Sequence, residues 1–301
     1  MQALWMLLAV FWFATMAVGV KVASVSFGTF ELIFYRGLVS LIFIALALRV
    51  RGITWRTPVP MMHFWRTLIG VCAFGSWFYA LAHLPLVTAM TLNYMSSIWL
   101  ATFIVAGALL YKQSRPQGWM MATTFIGFIG VVLVLQPTMT HEQLFAAIVG
   151  LLSGVGAAMA SLQVGALGRA GEPEERVVFY FSLGTAVLGL LGTLWVGFTP
   201  WQQVRWVDAL WLVPIGVLAS LGQWCATRAY SRGTTLLAAN LQYAGVVFAA
   251  LYNLVLFNDQ IQLSSWMGIL VIVLCGMAAT MLRARSLPSG KAEIGPPTQT
   301  L

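Results

Sequence analysis

The stretch GSWFYALAHLPLVTAMTLNY, residues 75–94, returns later in the chain as GQWCATRAYSRGTTLLAANLQY, residues 222–243. At one offset, the 147 positions from Gly75 to Gly222, Trp77 meets Trp224, Ala82 meets Ala229, Thr88 meets Thr235 and Asn93 meets Asn240. The same register carries on to Gln113 with Gln260, Trp119 with Trp266 and Met120 with Met267. Trp and Asn are uncommon enough in apolar sequence that a gap-free match of this length marks an internal repeat.

The repeat is embedded in apolar sequence. Of 301 residues, 60% are hydrophobic and 8% charged, and the mean hydropathy is +0.88; soluble domains carry about a quarter charged residues. A spanning helix needs about 20 mostly apolar residues, because in lipid each backbone polar group must be satisfied within the segment. Ten such segments fit, at 3–22, 30–48, 62–82, 87–110, 117–136, 143–166, 176–198, 208–229, 234–257 and 264–282. The fold class is therefore an all-α membrane protein of ten transmembrane helices. Residues 1–138 form the first five-helix repeat and 139–285 the second; 286–301, rich in Pro, Gly and polar residues, reads as a disordered tail. Five spans per half is an odd number, so the second half enters the membrane from the opposite side, and the repeats are inverted. Secondary transporters recurrently use this construction, with the substrate site where the halves meet. The first helix follows Met1 without a cationic stretch or a clear cleavage site and reads as retained.

The formal charge of +8 is informative through its location. Arg49, Arg51, Arg56, Arg66, Lys112, Arg115, Arg169, Arg176, Arg228, Arg232, Arg283, Arg285 and Lys291 fall on one side of this topology, whereas Lys21 and Arg205 fall on the other. The positive-inside rule then places both termini in the cytoplasm, and nucleic acid is not an expected partner. Cys72, Cys225 and Cys275 all lie in apolar spans and read as free packing residues.

The residues exclude enzymatic chemistry more readily than they exclude transport. Neither a His, Cys and acid cluster with metal spacing nor a phosphate loop adjoining a strand occurs, and the serines lack a nearby base. No cofactor or metal is expected. All eight acids fall in loops, tail or helix ends, so the usual intramembrane carboxylate of a proton or sodium relay is missing. His83 is the one plausible proton-coupling group, and gradient-driven uniport or exchange is the simpler expectation.

Polar residues on four spans mark a candidate cavity. Ser76, Tyr79 and His83 share a face of the third span, and Gln223, Ala226 and Tyr230 occupy the matching face of the eighth. Asn93 and Ser96 share a face of the fourth, and the ninth supplies Asn240 and Tyr243. Asn93 and Asn240 would bracket the midplane as an inverted pair. Tyr94, Trp99 and Trp12 are candidate aromatic walls, and Gln163 is the polar group of the sixth span able to reach the cavity. Each has a plain alternative in helix packing, since Asn, Ser and Gln commonly join membrane helices by hydrogen bonds. Thr88 and Thr235 begin their helices and are expected to cap them. Small residues at Gly150, Gly154 and Ala158 make the sixth span a close-packing surface. Arg36, a guanidinium within a span, must be paired or hydrated; it meets carbonyls at a helix end, the expected structural role, or attracts a substrate carboxylate.

The two five-helix halves, with short third-to-fourth turns, a Gly-rich final span and segments such as FYRGLVSLIF (34–43) and TLNYMSSIW (91–99), resemble the drug/metabolite transporter superfamily, specifically its EamA-type ten-helix members. Within that group the aromatic content is most similar to exporters of aromatic amino acids. Departures occur: a Gly-Glu pair common at the fourth-to-fifth turn is replaced by Tyr111-Lys112 and Asn258-Asp259, and a Pro common in the fourth and ninth spans by the Ser96-Ser97 and Ala244-Gly245 regions. The resemblance implies a monomeric multi-pass protein of the bacterial inner membrane whose partners are the lipid bilayer and a small molecule. An acid-free, aromatic cavity suits an aromatic or other neutral amino acid. Efflux of hydrophobic drugs or metabolites, and a scaffold without transport, are the alternatives.

Overall fold

The computed structural model describes residues 2–84, 91–110, 118–135, 144–256 and 263–286. Ten helices run through them: α1 (Gln2–Ala23), α2 (Thr29–Val50), α3 (Pro60–His83), α4 (Thr91–Leu110), α5 (Gly118–Leu135), α6 (Leu144–Arg169), α7 (Glu174–Val196), α8 (Trp206–Ser231), α9 (Thr235–Leu256) and α10 (Leu263–Ser286). All the expected spans are present. Seven of them (α1, α2, α4 and α6–α9) are long and apolar enough to cross a membrane by length and hydropathy. Large apolar side chains such as Ile42, Leu46 and Leu194 stay exposed along the helices, as in a bundle whose outer surface meets lipid. Exposed tryptophans gather at the ends, Trp55 and Trp65 at one and Trp195, Trp201 and Trp206 at the other, where amphipathic rings anchor a protein at the interfaces.

The packing has the symmetry that the repeat requires. α2 lies along α7 and α5 along α10, while α3 lies along α6 and α1 along α8. Exchanging every helix for the one five later returns the same set of pairs, which is the signature of a two-fold relation between halves. The α2–α7 crossing is close because a Cβ on Gly37 would sit 2.5 Å from the Ala186 backbone nitrogen. The small face of α6 serves packing as expected: a Cβ on Gly154 would lie 2.8 Å from the Leu92 carbonyl of α4.

Helix ends are set by local chemistry. Glu31 accepts from the Gly28 N–H at the start of α2, satisfying the backbone donor of the glycine that precedes the helix. Both α2 and α6 stop at a left-handed glycine, Gly52 and Gly171. In each case the next residue, Ile53 or Glu172, bonds a carbonyl five residues back. The side-chain cap expected of Thr235 is not made; the Gln2 amide instead clasps the preceding Thr234, accepting from its N–H at 3.1 Å and donating to its carbonyl at 2.8 Å. Thr88 lies outside the described residues, as does the tail beyond Ser286.

The acids of the described residues are all engaged at the two ends of the bundle. Glu172 accepts from His63 (2.9 Å), Arg176 (2.9 Å) and Thr57 (3.0 Å); Glu174 pairs with Arg232 and Glu175 with Arg51. At the other end Glu31 accepts from the Thr199 N–H and hydroxyl, and Asp208 from Ser26 and Arg205. Burial alone would raise the Glu172 carboxyl, but the bonds from His63, Arg176 and Thr57 outweigh it and hold it below the usual carboxylate range.

Candidate functional site

Between the halves lies a cavity of about 310 Å³. It is walled by α1, α2, α3, α4, α6, α7, α8 and α9, whereas α5 and α10 pair with each other and contribute none of its lining among the described residues. Two of its helices are interrupted beside it. In α4 the Ile98 N–H bonds the Met95 carbonyl three residues back, and in α9 Tyr243 and Val246 make the same short bonds to Asn240 and Tyr243. Such tight turns inside a span loosen the backbone locally, and here they adjoin the lining residues Tyr94 and Gln242.

Of the residues singled out from sequence, Arg36, Asn93, Tyr94, Gln223 and Tyr230 line this cavity, and Ala226 completes the expected α8 face. The Tyr230 hydroxyl donates to Gln242 Oε1 at 3.0 Å, tying α8 to the α9 break. The others lie elsewhere. Tyr79 and His83 stack on each other 4.1 Å apart on an exposed surface of α3, with His83 bonded to the Tyr79 carbonyl. Ser96 is buried beside Gly154. Trp99 stacks on Phe103 in the main core, and Trp12 packs edge-on against Phe11. Tyr243 is fully buried between Tyr94 and Phe128. Gln163 is half-buried, its Oε1 without a partner, and Asn240 is buried with its amide unpartnered. The symmetry of the backbone is thus not repeated in the lining: Asn93 faces the cavity and Asn240 does not.

Sequence reasoning missed most of the α3 wall. Arg66, Gly70, Ala73, Phe74 and Trp77 line the cavity at the i, i+4, i+7, i+8, i+11 spacing of one helical face. Arg66, grouped by sequence with the loop cations, is a buried residue of α3. Neither its Nε and Nη1 nor those of Arg36 have an acceptor. Arg36 finds no helix-end carbonyl for these atoms and lies instead over the Phe74 ring at 4.5 Å; Arg66 lies over Phe181 at 4.4 Å. A cation over a ring gains about 0.5–2 kcal/mol. Desolvating an unpaired ion costs several kcal/mol. The rings therefore offset only part of the cost, and the buried Nε and Nη1 donors of both arginines remain without a protein acceptor. Neither an acid nor a histidine lines the cavity among the described residues, and no group of His, Cys, Asp and Glu there is fit to hold a metal.

Inverted helical halves closed around a central charged and aromatic cavity define a membrane transporter. The family whose model matches residues 144–281, the α6–α10 half, is described as the EamA-like transporter family. The chain is 31% identical over 274 residues to the pseudopaline exporter CntI of Pseudomonas aeruginosa, covering 89% of this chain and 92% of that protein. It is 28% identical to a riboflavin transporter of Vibrio cholerae (90% of each chain) and 26% identical to an S-adenosylmethionine uptake transporter of Rickettsia bellii (73% and 72%). A solved crystal structure superposes with a TM-score of 0.80 at 21% identity, over 93% of this chain and 98% of that one, and shares the fold. The chain belongs to the EamA-like transporter family; it is a multi-pass membrane transporter and not an enzyme. These relatives are named for other substrates, and the narrower similarity to aromatic amino acid exporters gains no support from them.

Proposed function

We propose that this chain exports amino acids and small amino-acid-derived metabolites with an aromatic or apolar body across the bacterial inner membrane by alternating access. The observation that carries the reading is Arg36, a buried guanidinium whose Nε and Nη1 have no protein acceptor, on the wall of a cavity that no acid lines among the described residues. A substrate carboxylate supplies the missing acceptor in the planar geometry a guanidinium matches. Trp77, Tyr94 and Phe74 offer ring faces and edges to the body, and the amide oxygens of Asn93, Gln223 and Gln242 suit an ammonium. A cationic substrate, such as the sulfonium in the name of one relative, would meet guanidinium instead of carboxylate. Export is the direction in the name of the 31%-identical relative. Both termini lie in the cytoplasm on this reading, because Arg51, Arg176 and Arg232 gather at the end of the bundle that holds Gln2. Transport runs down the substrate gradient, since the described cavity wall has no titratable acid or imidazole to carry a proton.

Liposomes loaded with labelled phenylalanine test this. Vesicles containing the protein are expected to release label faster than protein-free vesicles, and Arg36→Gln to lower that release with insertion intact. Equal release from both kinds of vesicle refutes the export reading.

A further inference from the structure

The cavity asks for more than one carboxylate. Arg36 comes from α2 and Arg66 from α3, and each is more than nine-tenths buried with Nε and Nη1 lacking acceptors. Trp77 Nε1 on the same wall is also buried without an acceptor. All five atoms are donors, and a guanidinium cannot discard its proton to relieve the imbalance. The surrounding protein does not relieve it either. Glu31, Glu172, Glu174, Glu175 and Asp208 are engaged at the bundle ends, and no acid lines the cavity among the described residues.

The two guanidiniums lie at neighbouring levels. A Cβ on Gly70 would touch Arg66 Nη1, while Arg36 rides over Phe74, four residues further along α3. Four residues rise about 6 Å along a helix, a spacing that one small molecule spans. Phe181, the ring under Arg66, also lines a water-sized pocket of about 10 Å³ together with Arg36, Ser182 and Gln223. The two charges thus share one apolar partition.

Resting on the export role proposed above, we infer that the substrate class is dianionic: a small dicarboxylate with an apolar or aromatic body, one carboxylate held by Arg36 and the other by Arg66. Two like charges on one largely apolar wall repel each other and leave their buried donors without a protein acceptor. A ligand bringing two negative groups cancels both effects, whereas a neutral amino acid answers only one guanidinium. Arg66 is then a specificity-determining residue.

Binding to the purified full-length protein, read by titration calorimetry, tests this with benzylsuccinate, its mono-methyl half-ester, benzylphosphonate and phenylalanine as probes. A second charge-assisted contact is worth a factor of about ten or more in affinity, so the diacid is expected to bind at least tenfold more tightly than the half-ester. Arg36→Gln and Arg66→Gln should each erase that preference, and Arg66→Lys, which keeps charge without the planar fork, should retain part of it. Equal binding of diacid and half-ester by the wild-type protein overturns the inference without reference to any variant. So does absence of diacid binding, survival of the preference in both Gln variants, or benzylphosphonate binding as tightly as the diacid, which would show that one dianionic group suffices. Phenylalanine release from liposomes is independent of these outcomes, and an exporter that releases phenylalanine yet ignores the second carboxylate keeps its proposed function and loses only the dianionic class.

Discussion

Substituting Arg36 by Met separates a structural from a ligand-binding guanidinium, because the two roles predict opposite changes in stability. Arg36 is buried, contributes a face-on contact with Phe74 at 4.5 Å, and leaves Nε and Nη1 without acceptors. The contact is worth about 0.5–2 kcal/mol, against several kcal/mol for an uncompensated ion. Met retains most of the apolar contact with Phe74 and removes the charge, so the substrate-free variant should be about 1–3 kcal/mol more stable than wild type. Denaturation followed by tryptophan fluorescence in mixed micelles reads the difference, and liposome flux reads the accompanying loss of transport. Were Arg36 a structural tie between helices, the same variant would lose about 3–5 kcal/mol, as when a partner is removed from a buried pair. A variant destabilised by more than about 1 kcal/mol therefore refutes the reasoning, and ligand should stabilise wild type but not Arg36→Met.

At the bundle end, Glu172→Gln should cost about 3 kcal/mol or more, since His63 and Arg176 lose a buried carboxylate; thermal unfolding in detergent checks it. Because hydrogen bonds hold the Glu172 carboxyl below its usual range, its contribution is fully present above the unfolded value near pH 4 and disappears as pH falls through the folded one. The gap between wild type and Glu172→Gln should accordingly close once pH falls below the carboxylate range, about pH 4, and a gap that persists undiminished there contradicts the assignment. Gly37→Leu should lower stability by about 1–3 kcal/mol or prevent assembly, because the Ala186 backbone cannot retreat from the new side chain; equal thermal stability would place the α2–α7 crossing further apart. A pH gradient imposed across liposomes, then collapsed with an ionophore, should leave initial efflux rates unchanged within a factor of about two, as an efflux uncoupled from protons requires.

The scaffold was legible because lipid enforces it: apolar length marked the helices, seven of them long and apolar enough to cross a membrane, and the repeat offset matches the exchange of helix pairs. The α8 face was legible too, for Gln223, Ala226 and Tyr230 are cavity residues. The α3 wall was not, because polarity was the criterion and it selected Ser76, Tyr79 and His83. The wall is built from Gly70, Ala73, Phe74 and Trp77, apolar residues at helical spacing, with Arg66 at their head. Arg66 was read only as one of the cations on its side of the topology, yet Pro60 opens α3 and His63 is buried against Glu172, so Arg66 lies inside the helix. Asn240 shows the opposite error: the repeat predicts its backbone place, but side-chain exposure follows the neighbours, and a Cβ on Gly127 would sit 3.6 Å from its Oδ1.

Alternating access through this cavity is most directly measured at Ser161, a lining residue on α6. In a background with Cys72, Cys225 and Cys275 replaced by Ala, Ser161→Cys is exposed to a membrane-impermeant thiol reagent in right-side-out and in inverted vesicles, with and without phenylalanine. The account predicts labelling from both faces and protection by the probe in each. Labelling from one face alone, or labelling that the probe leaves unchanged, would contradict it.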